Sequence, residues 1–465
     1  MAGLIGALNT GKTGLMVNQK GIEVTGNNVT NASTEGYSRQ VLEVSSSPVL
    51  EYNGIIVGQG AMATGISREE SVFVINQLIG KSADYGEQAA MAEPLEELER
   101  IVSISDDNLA ADIDAYFEAW QALSNEPSGS VERQEVIQMG ENIANTFAAM
   151  DDDLNELTEN INVSIESEVD TINQMVSQVA DLNVRIVSTE AGGASANGLR
   201  DDRDQLLQEL SELVGIDTYE SESGMVSVQL SSGLSLVEGG TASSMSSDRV
   251  DGLVTLSLDM GASTVALGLD DFGGEIKGLM TVRDVEIPEA KDGLDQLAYT
   301  FANEVNAVHE AGVDLDGNTG VSFFSYSTST AADAEAWTGA AATLAVAITD
   351  TRQVAAGATS ASGDNSNTLD MVALQDAEAV DGSTFNEFYS LIASKVGLAV
   401  DQNEYELEAA QDALTQVQNM RDSAVGVSTD EELLLLTQYQ TGYEAAAQYI
   451  NVIDEMLDTM LTIGA

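Results

Sequence analysis

The chain has no cysteine, one histidine and four prolines in 465 residues. Without cysteine there are no disulfides, no thiol nucleophile and no thiolate metal site. With one histidine, neither a zinc centre nor a Ser-His-Asp relay has much to be built from, and His309, beside an apolar stripe, reads as a packing or helix-end residue. Positive charge is the other scarcity: 17 Lys and Arg stand against 77 Asp and Glu, a net charge of −60. Such a field repels phosphates and anionic headgroups, which argues against nucleic acid and against membrane as partners. It suits solubility in salty surroundings that screen self-repulsion. No apolar run approaches the roughly 20 residues a membrane helix needs. No secretory signal peptide is expected, since a basic leader is missing and Asn9, Thr10 and Lys12 interrupt the first apolar residues. The length allows roughly two to four domains.

What the chain does have is apolar periodicity at both ends. From Ser428 onward, Leu436, Tyr439, Tyr443, Ala446, Ile450, Ile453, Leu457 and Met460 recur at alternating spacings of three and four. That heptad seam predicts a helix that pairs with another helix. Ser428-Thr429-Asp430-Glu431 has the form of a capping box at its start. A comparable stripe lies at the opposite end, where Leu8, Leu15, Ile22 and Val29 recur at spacing seven. The two ends are predicted to close on each other as one module, with everything between them a long insertion.

Motifs for chemistry fail on context. Gly6 to Thr13 fits the G-x-x-x-x-G-K-[ST] expression, but only five residues precede it and no βαβ alternation follows, so it reads as amphipathic helix. Asp314 to Gly320 suggests a calcium loop, yet Thr319 and Ser325 stand where glycine and glutamate are needed. No catalytic residue, metal site or cofactor is indicated. The Arg200, Asp201, Asp202, Arg203, Asp204 cluster reads as an ion-paired helix junction.

Between the ends, Leu154, Leu157, Ile161, Ile165, Val169, Ile172, Val176, Val179, Leu182 and Ile186 predict a rod of roughly 50 Å. Period two takes over at Met225–Leu230 and Val254–Leu258, with Gly and Ser at the turns, and predicts an antiparallel sheet. Helical period returns before Gly312 and again from 369 to 421. The fold class is mainly α with a β-rich middle: a nested multidomain rod, with a coiled-coil-like module of terminal helices, a long helical shaft and an inserted antiparallel β domain. The expected division is 1–60 plus 428–465 for terminal assembly, 61–215 plus 272–312 plus 369–427 for the shaft, and 216–271 plus 313–368 for the β-rich outer domain.

Some stretches resemble a known family. Asn27, Asn28, Asn31, Gly36 and Tyr37, followed by Ser38-Arg39-Gln40, are similar to the signature shared by axial proteins of the bacterial flagellum: rod, hook and hook-associated proteins. Phe117 to Pro127, Val131 to Gln134, the Asn197 to Leu207 run and Thr437 to Leu461 resemble its hook-associated members; the Ala/Ser-rich 327–368 and Lys12-Thr13 depart from the pattern. The resemblance implies a non-enzymatic structural subunit at the hook–filament junction, exported unfolded through the flagellar type III apparatus. It also implies as partners further copies of itself in a ring, the hook protein, hook-associated protein 3, and an export chaperone at the C-terminal region. A secreted acidic coiled-coil adhesin or spacer would also account for periodicity and charge, without needing matched termini.

Overall fold

The structure, a computed structural model, describes residues 2–52, 55–103, 108–261, 263–331, 334–361 and 363–463. Helix α1 (Ala2–Asn31) is followed by strands β1 (Gln40–Ser46), β2 (Leu50–Tyr52), β3 (Ile55–Val57) and β4 (Ala61–Arg68). β1 pairs antiparallel with β4, and β2 with β3. The expected boundary at residue 60 falls just before β4, the strand that pairs with β1.

The shaft is built from α2 (Val72–Val102), α3 (Leu109–Asn125), α4 (Ser130–Ala191) and α5 (Asn197–Val214). At 62 residues and 1.5 Å per residue, α4 runs about 90 Å, longer than the predicted rod because Met150 to Asp153 do not interrupt it. Each apolar position of its predicted stripe is buried. Next come β5 (Ile216–Glu220), β6 (Val226–Leu230), β7 (Ser235–Glu238) and β8 (Thr241–Ala242), a four-stranded sheet in sequence order. β9 (Ser244–Val250), β10 (Leu253–Asp259) and β11 (Thr264–Leu267) form a second antiparallel sheet. The alternation of buried and half-exposed residues along β6 is the period two of the sequence.

The chain returns through α6 (Gly274–Thr281), a π-type stretch at Val282–Glu286, and α7 (Ile287–Ala311). β12 (Phe324–Ser325), α8 (Ala340–Thr343), β13 (Ala345–Val346) and α9 (Ser366–Ala373) are short. They lead into α10 (Phe385–Val425) and α11 (Thr429–Ile463).

Asparagines in the apolar stripe of α4 hold both sheets. Asn162 Oδ1 accepts from Val254 N at 3.1 Å while its Nδ2 donates to Gly252 O at 3.0 Å. Asn173 brackets Met245 in the same way at 2.8 Å in both directions, and Asn183 accepts from Val226 N and donates to Val226 O and Gly239 O. In each case the side-chain oxygen satisfies the amide of a buried strand residue, Val254, Met245 or Val226. The guanidinium of Arg283 adds a donor to Asn162 Oδ1 and to Val254 O.

The expected grouping of 313–368 with the sheets is not what is found. β12, β13, α8 and α9 pack on α3, α4 and α7. The reason is aromatic: Phe323 and Phe324 are buried with ring centroids 5.7 and 5.9 Å from Tyr116, beside Trp120 and Phe301. Both their amides donate to Asn306 Oδ1 at 2.8 Å. His309 is fully buried there, with Nδ1 2.6 Å from Val321 O and Nε2 accepting from Ala355 N at 3.0 Å. Burial lowers its pKa, which keeps the ring neutral. Asp314 accepts from the amides of Asp316 and Asn318, a side-chain-closed turn.

Candidate assembly interface

α1 and α11 lie against each other antiparallel within the monomer. Gly11 faces Ile450, Gly14 faces Ala446, Gly442 faces Asn18, and Gly21 lies under the ring of Tyr439. The approach is close: a Cβ at Gly21 would sit 2.5 Å from the Tyr439 ring, and one at Gly11 2.6 Å from Ile450. Glycine is therefore a steric requirement at these contacts, not a helix breaker that happens to be tolerated.

The expected seam is only partly the observed one. Leu8, Leu15, Ile22 and Val29 are partly buried, and the buried face of α1 consists of Gly11, Gly21, Val24, Thr25 and Asn28. On α11, Ile453 is 4% exposed, Leu436, Tyr439, Ile450 and Leu457 are partly buried, and Tyr443 and Met460 are exposed.

Where α1 ends, the asparagine-rich signature folds into a polar lock. Asn31 donates to Asn27 Oδ1 at 2.8 Å, an exposed local contact, and Gly36 takes φ of 79° to turn the chain. Asn28 is 1% exposed. Its Oδ1 accepts from the Tyr37 hydroxyl at 2.8 Å and from Gln40 N at 3.0 Å, while its Nδ2 donates to Gln40 O and to Glu432 Oε2. Glu432, also 1% exposed, takes the Arg39 guanidinium at 2.7 Å on its other oxygen. Residues 404 apart in sequence thus share one buried network, the kind of site where removing one partner strands the other. Burial, with Asp201 and Glu432 nearby, pushes the Tyr37 hydroxyl up to about 12, so it remains a donor.

The lock is joined to the shaft. Arg39 N donates to Val425 O at 2.9 Å, and Arg421 reaches Gly36 O at 2.6 Å. Ser38 N donates to Asp201, and Arg68 bridges Asp201 and Asp204 at 2.9 and 2.7 Å. The charged helix junction read from the sequence is present with other partners: Arg68 comes from β4, Arg200 binds Glu190 and Glu220, and Arg203 binds Asn183 and Gly224 O. Neither Arg39–Glu432 nor the glycine face was identified from sequence. Glu432 follows the Ser428–Glu431 capping box as one more first-turn carboxylate with no sequence mark of its partner, and a heptad search passes over glycines.

The Gly6–Thr13 segment is continuous helix in the first half of α1, with Thr13 Oγ1 donating to Thr10 O, and offers no loop to cradle a phosphate. Among the described residues no helix is long and apolar enough to cross a membrane, and no group of three or more His, Asp or Glu is placed to hold a metal ion.

Three family models match the chain: "Flagella basal body rod protein" over residues 8–37, "Flagellar hook-associated protein FlgK helical domain" over 95–324, and "Flagellar basal body rod FlgEFG protein C-terminal" over 421–463. Flagellar hook-associated protein 1 of Salmonella typhimurium is 25% identical, with 98% of this chain and 99% of the relative aligned. The Bacillus subtilis protein of that name is 26% identical over 98% of this chain and 97% of its own length. The Escherichia coli protein is 30% identical over 68% and 59%. The solved hook junction protein FlgK of Burkholderia pseudomallei superimposes with a TM-score of 0.68 at 17% identity, covering 76% of this chain and all of that one; it carries the fold. The outer two family matches fall on α1 and α11, and the middle one runs from the end of α2 through α7 to β12, taking in both sheets. With full-length relatives of one name, they make this chain a member of the flagellar hook-associated protein 1 family.

Proposed function

We propose that this chain serves as a structural subunit of the hook–filament junction, joined to neighbouring copies in a ring through its terminal helices. The observation that supports this most is the α1–α11 hairpin itself. It carries both end signatures, projects from the shaft through the Asn28–Glu432 lock, and leaves large apolar residues in water: Met16 on α1 and Leu434, Tyr449, Val452 and Met456 on α11. Apolar area of that extent on an acidic protein fits a face that is covered on assembly.

Within this reading the hook protein contacts one side of the ring and hook-associated protein 3 the other. A chaperone shields the α11 region before export through the type III apparatus, and a cysteine-free chain can refold outside the cell without redox chemistry. The subunit performs no catalysis. Its three layers are the terminal hairpin with β1–β4, the helical shaft carrying 313–368, and the two sheets of 216–267.

Labelling the protein on intact cells tests the assignment. One band at each hook–filament boundary is expected. Label along the filament or over the cell body would refute it and favour the adhesin or spacer reading.

A further inference from the structure

Positive charge is so scarce here that its placement carries information. Arg39, Arg68, Arg200 and Arg249 each meet carboxylates of their own monomer, and Arg133 is buried among backbone carbonyls. Among the described residues, Lys12 and Arg185 are exposed and their side chains make neither an ion pair nor a hydrogen bond. Of these, Lys12 is on a terminal helix. Gly11 beside it is buried against Ile450, and Thr13 is turned to Gln59 and Gly60, which leads into β4. The remaining face of α1 is left to water. On that face Ile5 and Met16, at seven before and four after Lys12, are 61% and 58% exposed. α11 has an open face too. Tyr449, whose ring also edges Gly11 of its own α1, Val452 and Met456 recur there at helical spacing with much of each side chain exposed, and exposed Glu455 lies at the edge.

We propose that α1 of one copy seats Ile5, Lys12 and Met16 on the Tyr449–Val452–Met456 face of α11 of the next copy, with Lys12 against Glu455. This rests on the junction-subunit reading above. The giving and receiving faces differ, so each copy offers α1 to one neighbour and accepts it from the other. Head-to-tail contacts of this kind build rings and tubes rather than closed pairs. A second copy is the fitting occupant because both complementary faces belong to this chain. Neighbours with a net charge of −60 repel one another. A lysine withheld from intramolecular pairs meets that repulsion where the helices touch, and its apolar flanks exclude water and strengthen the pair.

Charge reversal on purified full-length protein tests this by sedimentation. Lys12→Glu and Glu455→Lys should each raise the concentration needed for assembly by about tenfold, as like charges meet across the contact. The double variant should return close to wild type. An equimolar mixture of the two single variants should also assemble, because alternate copies then present opposite charges. Monomer thermal transitions should be unchanged, since neither side chain has a partner inside the monomer. Assembly of Lys12→Glu at the wild-type concentration would overturn the proposal, as would a double variant that fails to recover. In cells the two readings separate: wild type absent from the hook–filament boundary refutes the junction role, whereas wild type and Lys12→Glu incorporating equally refutes only this contact.

Discussion

At the scale of single residues, buried polar side chains divide into those that close a contact and those that hold one in tension. Asn162, Asn173, Asn183 and Asn28 are of the first kind, each bracketing backbone groups of another element. Glu168 on α4 is of the second. It is partly buried near Glu275 in the first turn of α6, and its buried Oε2 has no hydrogen-bond partner. Burial and the neighbouring carboxylate push its pKa up to about 8. The folded protein therefore keeps a proton that the unfolded chain releases above about 4.5, so this pair costs stability progressively as pH rises from about 4.5 to about 8. Glu168→Gln should raise the unfolding free energy at pH 8, read from a higher urea midpoint, by on the order of 2 kcal/mol. It should do little near pH 4.5. A gain that does not depend on pH would place its origin in packing. In the sequence Glu168 lies between the stripe positions Ile165 and Val169 and nothing sets it apart from the other acids of α4; what makes it different is the return of α6, more than a hundred residues later.

At the scale of elements, the glycines of α1 set how near α11 can come. A Cβ at Gly14 would meet Ala446 at 3.6 Å, an ordinary contact, so Gly14→Ala should be neutral or stabilise the helix by up to about 1 kcal/mol. Gly21→Leu would force its side chain into the Tyr439 ring. Amide exchange should then rise across α1 and α11 while the shaft keeps its thermal transition, because the large aromatic core lies elsewhere. Equal exchange in the two variants would mean the helices are held by the lock alone. Here the legibility of the sequence has a clear limit. The α4 stripe was readable because an apolar side chain recurs every three or four residues along its inward face, and Asn162 and Asn183 interrupt it without breaking that period. The α1 seam was only half readable because its closest contacts are made by residues with no side chain. The packing of 313–368 was not readable because Phe323 and Phe324 meet an aromatic cluster assembled from α3 and α7, far off in sequence.

At the scale of the whole molecule, charge decides the conditions of assembly. A single Lys12–Glu455 pair per contact is small beside the repulsion between copies of net charge −60. Salt screens that repulsion over roughly 8 Å at physiological strength. Assembly followed by sedimentation should therefore strengthen as salt is raised from low concentration, opposite to an interface dominated by complementary charges. Weakening with added salt would show that ion pairs, not apolar faces, hold the copies together.

The sheets enter and leave the shaft at nearly one point. Gly273 N donates to Val214 O at 3.0 Å, and Gly215 lies against Gly273. Hung from that point alone, the outer module would swing like a flag on two threads. Asn162, Asn173 and Asn183 instead fasten it along about 30 Å of α4. In a rotating appendage, drag on the sheets is then carried as shear shared along a rigid spar, and the two peptide crossings at the root bear little of the load.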